Sequence, residues 1–527
     1  MTLSKPQELD DDMAAKAATL IEKATGLEGD IWETKQLSEE PRLVMRVISA
    51  TEQHYEIVNR IAEDLPDENP YRGRVSVAKR PLKELTLESA EVLLLTRTLS
   101  STLTADRHAD ATEFRTRYIS SQSGAEQQVT AMSNNIVFGR RGAGKSTLLV
   151  YAQHHFQHEG LPCAWLDMQT YEGRNDTVVH IDVLDELAET LNELSSGAMN
   201  EFLLASRKLR DEGEPTLPRI RRLMPSFKRG ALHLTRRHGG LGIFLDDLHV
   251  VPKERQPELL TLLYSFSRGN RIWLKVSALE HFTNHWDPVR RVGLEAPGDA
   301  QTIHLDYNLT DPRAALRHTT RIMDAIAMQC ALPGIGAILN SGVLARLVWV
   351  AAGVPRDALD ILRQSISTAA QKRRTSKKLS APSPRKKVAV EDVNTAASRC
   401  IENKLQFLSL DSSLEQEPLA TLLESVKQFC IKEEKRNAFL VRIRHESSFY
   451  QQFLKLIDLR FLHVLNPGIT KSRTGEKFVA LLLDYGFYTG TRRAKTVDVL
   501  QKEPERLPYD LLRRLPVFEP DERPGSN

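Results

Sequence analysis

The segment Gly139-Arg-Arg-Gly-Ala-Gly-Lys-Ser146 fits the pattern G-x-x-x-x-G-K-[ST], and no other feature constrains this chain so strongly. Average composition gives only about 0.02 chance matches in a chain of 527 residues, so an incidental glycine turn is set aside. The flanks agree: Asn135–Phe138 (NIVF) reads as a strand and Leu148–Gln157 as a helix. Glycines let backbone N–H groups wrap closely around phosphate oxygens, and the following helix offers its positive N-terminal end. Gly139, Arg140, Arg141, Gly142, Ala143, Gly144, Lys145, Ser146 and Thr147 are therefore expected to grip ATP. Lys145 would bridge the β- and γ-phosphates, the Ser146 hydroxyl would ligate Mg2+, and Thr147 would lie near the α-phosphate.

Short apolar runs alternate with helical patterns on both sides of this loop. Cys163–Met168, Leu241–Leu245, Arg271–Ser277 and Thr302–Leu305 read as strands, and Val183–Leu194 and Glu258–Phe266 as helices. Such alternation predicts an α/β class with a parallel sheet covered by helices on both faces. The run Ile243-Phe-Leu-Asp246-Asp247 brings two carboxylates to the C-terminal end of a core strand, where parallel sheets bind ligands. Asp246 is expected to hold magnesium through water, and Asp247 to polarise or position the attacking water.

Residues 1–125 carry helical spacing at Met13–Leu27, Leu43–Leu65 and Leu85–Leu103, and read as a helical accessory region. The chain from about Asp311 is helical again. Lys372–Lys387 (KRRTSKKLSAPSPRKK) interrupts it and reads as a flexible basic loop. The expected units are therefore 1–125, a nucleotide core at 126–311, a helical lid at 312–404, a C-terminal module at 405–500 and a tail at 501–527.

Hydrophobic residues make up 41% and charged residues 27%, an ordinary soluble composition. A net charge of +3 neither requires nor excludes nucleic acid, so any basic surface must be local. The acidic start MTLSKPQELDDDM is no secretory signal, and no apolar run approaches 18 residues, so neither export nor a membrane span is expected. Cys163, Cys330, Cys400 and Cys430 lie far apart, without metal or redox spacing. The expectation is a cytoplasmic protein, associated with the nucleoid if it binds DNA.

With these residues in view, positions 110–490 resemble the AAA+ ATPases of the origin-recognition and replication-initiator type, particularly bacterial members. The resemblance implies ATP-driven switching and self-assembly into a homo-oligomer. It also gives roles to residues that spacing alone does not. Ser277, ending Trp273-Leu-Lys-Val-Ser277, matches the first sensor, and Arg356 in Gly353-Val-Pro-Arg356 matches the second. Asp306 and Tyr307 match the end of the fifth strand, and Val388–Val393 the turn that opens the lid's last helix. Arg290 and Arg291 lie where a neighbouring subunit's arginine finger is expected. One departure is Asp247, where most members carry glutamate. The shorter side chain implies slow hydrolysis, with ATP acting mainly as a switch.

The C-terminal module shows helices, then Phe461–Val464, a turn at Asn466-Pro-Gly, and Phe478–Asp484. That order suggests a winged helix, and the resemblance implies the same. His445–Leu456 would present Gln451, Gln452 and Lys455 to double-stranded DNA; Lys471, Arg473 and Lys477 would lie on the wing, with Arg492, Arg493 and Lys495 beyond it. Two other readings stay open. One is a signalling ATPase whose winged helix is an internal clamp and whose N-terminal helices recruit an effector. The other is an adaptor that binds ATP without hydrolysing it. A replication protein is a further possible partner, and the sequence leaves the biological process open.

Overall fold

The computed structural model describes residues 11–25, 32–37, 40–47, 52–79, 86–103, 114, 118–121, 123–174, 178–305, 309, 311–378, 387–410, 416–444, 447–470, 475–489 and 508–519. The nucleotide core is built on five strands: β4 (Asn135–Phe138), β5 (Cys163–Asp167), β6 (Leu241–Asp246), β7 (Ile272–Ala278) and β10 (Gln301–His304). Their order is β10-β4-β7-β6-β5, and every neighbouring pair is parallel. Side chains of a strand alternate between faces. Along β6, Leu241, Ile243 and Leu245 join one core with the helices at 179–238 and 256–267, while Phe244 joins another with the helix Lys145–His158. Helices thus cover both faces, as the alternation predicts. Lys275 of β7 is fully buried, and its Nζ donates to Ala131 O at 2.7 Å, Ser133 O at 2.8 Å and Asn135 Oδ1 at 2.5 Å. These bonds tie the central strand to the segment that leads into the P-loop strand.

The sequence showed one helix between β5 and β6; the structure adds Asn200–Asp211 and Leu217–His238. Between β7 and β10 lies a two-stranded hairpin, β8 (Trp286–Asp287) with β9 (Val292–Gly293), whose turn carries Arg290 and Arg291.

The N-terminal region differs from a purely helical one. Helices Asp12–Thr25 and Glu52–Glu63 stand near their expected places, but a sheet accompanies them: β1 (Trp32–Leu37), β2 (Glu40–Val47) and β3 (Val75–Lys79), in the order β1-β2-β3. Leu43–Val47 is strand, because a short apolar run fits either period and here closes a core with Trp32, Val75 and Val77. The third expected helix, Ala90–Ser101, packs elsewhere. Its Val92, Leu95 and Leu99 share a core with Leu359, Leu362 and Ile366 of the lid.

Helix Pro355–Lys378 runs straight through Lys372–Lys378, which the sequence reading placed in a loop. An ion pair of 2.7 Å from Lys372 to the buried Asp392 holds that turn against the next helix, Val390–Leu410. Residues 379–386 lie outside the described residues. Val388 bridges Leu339 just ahead of that helix.

The C-terminal module consists of helix Gln416–Gln428, β11 (Ala438–Arg442), helix Ser448–Asp458, β12 (Leu462–Thr470) and β13 (Lys477–Leu483). Its sheet is antiparallel, in the order β11-β13-β12. The Asn466-Pro-Gly segment is not the turn between strands. It is an irregularity within β12, with register shifts at Val464/Asn466 and Asn466/Ile469. Proline lacks an N–H and is tolerated at such a bulge on an edge strand. Lid and module share one hydrophobic core, in which Leu362 and Ile401 cluster with Phe439 and Phe453.

Candidate functional site

Two glycines of the Gly139–Ser146 loop are held where only glycine fits. A Cβ on Gly139 would meet Leu305 O at 2.5 Å, and one on Gly142, at φ +82°, would meet Arg356 Cβ at 2.9 Å. Neither position takes a side chain without rearrangement. Lys145 is buried, and its Nζ donates to Gly139 O at 3.0 Å and Arg140 O at 3.3 Å. Burial pushes its pKa down, against the pull of Asp247 and Asp246.

Sheet register builds the rest of the site. Asp246 ends β6 opposite Asp167 of β5, while Leu245 pairs with Val276 and so sets Asp246 beside Ser277 of β7. The Ser146 hydroxyl donates to Asp246 Oδ1 at 3.1 Å, and the fully buried Ser277 hydroxyl donates to the same oxygen. The Asp247 N–H donates to Ser277 Oγ at 2.9 Å. Ser277 therefore locks both strand-ending residues together. Burial, then the neighbouring Asp247, raises the pKa of Asp246 above the usual carboxylate range, against the hydrogen bonds from Ser277 and Ser146. A dication relieves such repulsion, and a hydroxyl beside a carboxylate, completed by phosphate oxygens, is a hard-oxygen set that suits magnesium. The residues present therefore fit that ion. Among the described residues, no group of three His, Cys, Asp or Glu side chains could hold a metal by itself.

Two residues near Asp247 escaped the sequence reading. Gln169, in the turn after β5, donates its Nε2 to Asp247 Oδ2 at 2.8 Å. His249 lies with its Nδ1 3.8 Å from Asp247 Oδ1. Its spacing after Asp247 was the only available signal, since a histidine there has no fixed meaning without the fold. Asp247 itself sits at φ +60°, ψ +45°, a region uncommon for non-glycine residues and one where strain marks functional positions.

Other candidates are brought to the site to different degrees. Arg356 opens the lid helix against the P-loop, its N–H donating to Gly142 O at 3.3 Å, with its side chain exposed. Arg140 donates to Ala352 O, and Arg141 Nε donates to Asp458 Oδ1 of the C-terminal module at 2.8 Å. Arg460, two residues beyond Asp458, pairs with Asp357 of the lid helix. Arg290 is tied to Asp287 and Glu258 at the hairpin turn, while Arg291 makes no ion pair among the described residues. Lys455 lies on helix Ser448–Asp458 and Lys477 begins β13. Asp306, Tyr307, His445, Lys471, Arg473, Arg492, Arg493 and Lys495 lie outside the described residues.

Burial pushes the His249 imidazole down to about 4, against the pull of Asp247, and the His318 imidazole likewise to about 4. The unfolded chain then binds more protons than the folded one between about pH 6.5 and pH 4. Stability is expected to fall as pH drops through that window. His318→Gln should flatten the fall, as thermal melts at pH 7, 6, 5 and 4.5 would show.

No family model matches the sequence, and no curated protein does. Among solved structures, the chain is similar to the Aeropyrum pernix ORC1 protein, solved in complex with DNA, at 16% identity over 69% of this chain and 90% of that one, with a TM-score of 0.37. It is also similar to CDC6P from Pyrobaculum aerophilum, at 14% identity over 71% and 94%, with a TM-score of 0.34. A third is a mutant RuvB from Thermotoga maritima, at 12% over 61% and 77%, with a TM-score of 0.29. The sheet order and loop geometry of this chain carry the conclusion themselves: its core is an α/β P-loop NTPase fold, a parallel five-stranded sheet with helices on both faces.

Proposed function

We propose that this chain binds and hydrolyses ATP and couples its nucleotide state to a C-terminal winged helix that contacts duplex DNA. The observation that carries the reading is the hydrogen-bonded set Ser146–Asp246–Ser277–Asp247 beside the buried Lys145. Backbone N–H groups of the P-loop and the Lys145 ammonium bind the phosphates. Magnesium, held by Ser146 and Asp246, would neutralise charge on the β- and γ-phosphates. Asp247 takes the proton of the water whose oxygen bonds the γ-phosphorus as the bond to the bridging oxygen breaks, giving ADP and phosphate. Arg356 reaches the γ-phosphate from the lid. Arg291 of an adjoining copy is the better finger, because Arg290 is already paired.

The case for DNA rests on cationic surface. The helix Leu217–His238 contains no acidic residue, and its exposed Arg222, Arg229, His233 and Arg236 fall at i, i+7, i+11 and i+14, on one side. Arg229 also pairs with Glu201. Lys455 and Lys477 add cations on the C-terminal module. Such surfaces bind phosphates in a salt-dependent way.

A second reading is favoured by one observation. The pairs Arg141–Asp458 and Arg460–Asp357 fasten the end of the candidate recognition helix to the P-loop and lid, as an internal clamp in a signalling ATPase would. Fluorescence anisotropy of the full chain on duplex DNA, with and without ATP, separates the two. DNA binding predicts steep weakening with salt and tighter binding with ATP. Replacing Lys455 and Lys477 of the C-terminal module with alanine should lower the salt slope by about 1.8. Asp458→Ala, which frees Arg141, should strengthen binding if the clamp restrains the module. No binding by the ATP-loaded chain at low salt would leave the clamp as a protein-contact device.

A further inference from the structure

His249 has no role in the reactions described above, yet it stands in the middle of the site. It lies in the turn Leu248–Val250, immediately after the strand-ending pair. Its side chain is only 7% exposed. Its Nδ1 is buried and makes no hydrogen bond among the described residues, although Asp247 Oδ1 lies 3.8 Å away. That separation is too long for a hydrogen bond, but a shift of about 1 Å closes it. Leaving a buried polar nitrogen unpaired costs on the order of 1–3 kcal/mol, so the gap calls for an explanation. The other Asp247 oxygen is already held by Gln169 at 2.8 Å. One side of the carboxylate is therefore fixed, and the other faces a donor that falls just short.

Resting on the hydrolysis reading, we propose that His249 is a positioning residue: with its proton on Nδ1, it closes onto Asp247 Oδ1 when nucleotide binds and fixes the carboxylate that receives the water's proton. The charged groups that act on the imidazole are Asp247, which favours its cation, and Lys145 and Arg141, which oppose it. Burial, helped by the two cations, outweighs Asp247 and keeps the ring neutral. A neutral donor can orient Asp247 without competing for the proton that the carboxylate must accept.

The test uses the full chain and three variants: His249→Ala, His249→Asn and His249→Gln. Alanine should lower kcat roughly 10–100-fold while leaving KM and the calorimetric affinity for Mg-ATP unchanged. Asparagine presents an amide nitrogen near the place of Nδ1 and should restore much of the rate; glutamine should not. In an Asp247→Asn background, His249→Ala should cost nothing further, because the two act through one carboxylate. Nitrogen-15 NMR of histidine-labelled protein with a non-hydrolysable ATP analogue should show the Nδ1–H tautomer with a hydrogen-bonded shift that Asp247→Asn removes. Unchanged turnover in His249→Ala, or losses that add to those of Asp247→Asn, would overturn the proposal while leaving the ATPase reading intact. Absence of phosphate release by the unmodified chain would overturn both.

Discussion

Lys145→Ala is expected to weaken ATP binding by about 3 kcal/mol, roughly 100-fold, with the fold intact. In the proposed complex the lysine would be the cation facing the β- and γ-phosphates, and charge-assisted hydrogen bonds of that kind contribute about 1.5–3 kcal/mol each. Its loss should not unfold the loop. In the present structure its ammonium only borrows the carbonyls of Gly139 and Arg140, and Gly139 and Gly142 set the loop's path. Isothermal titration with Mg-ATP gives the affinity, and a thermal melt reports the fold. An unchanged dissociation constant in a folded variant would sink the phosphate assignment. A pH effect follows as well. Burial lowers the Lys145 pKa, and phosphates would raise it again. ATP binding should therefore take up a proton at alkaline pH, and affinity should fall as pH rises into that range.

Asp247→Asn is expected to lower kcat by about 10²–10⁴-fold while ATP remains bound, since the amide cannot accept the water's proton. Asp246→Asn should behave differently. Asp246 accepts hydrogen bonds from both Ser146 and Ser277, and in the proposed site its carboxylate would help hold magnesium, so nucleotide affinity should fall along with rate. Phosphate release and calorimetry on the two variants distinguish these outcomes. Equal effects on rate and binding would mean that the two carboxylates do not divide the work in this way.

The strand–loop–helix unit around Gly139–Thr147 was legible because its meaning is local. Glycines, a lysine and a hydroxyl within a few residues dictate how backbone meets phosphate. Asp246 and Asp247 were legible because five apolar residues before them mark a buried strand with its end at the surface of the sheet. The N-terminal sheet was not. Leu43–Val47 is too short to separate a period of 2 from one of 3.6, and its partners Trp32 and Val75 come from segments on either side in sequence. The bulge at Pro467 was read as a turn because Asn-Pro-Gly has the composition of one. Only pairing with β13 shows the strand continuing through it.

The sequence by itself determined that a glycine-rich loop joins a strand to a helix and which residue types stand at the ends of the core strands. Tertiary structure alone decided how they meet. Parallel strands register only through long-range pairing, so the bonds of Ser277 with Asp246 and the Asp247 N–H, across some 30 residues, follow from the sheet rather than from any pattern. The same holds for Gln169 and His249 flanking Asp247, and for Arg141 meeting Asp458, 317 residues further on. Periodicity specifies which face of an element is buried. It carries no information on which distant charge arrives beside it, and in this protein those arrivals set the chemistry around Asp247 and the tie between nucleotide loop and C-terminal module.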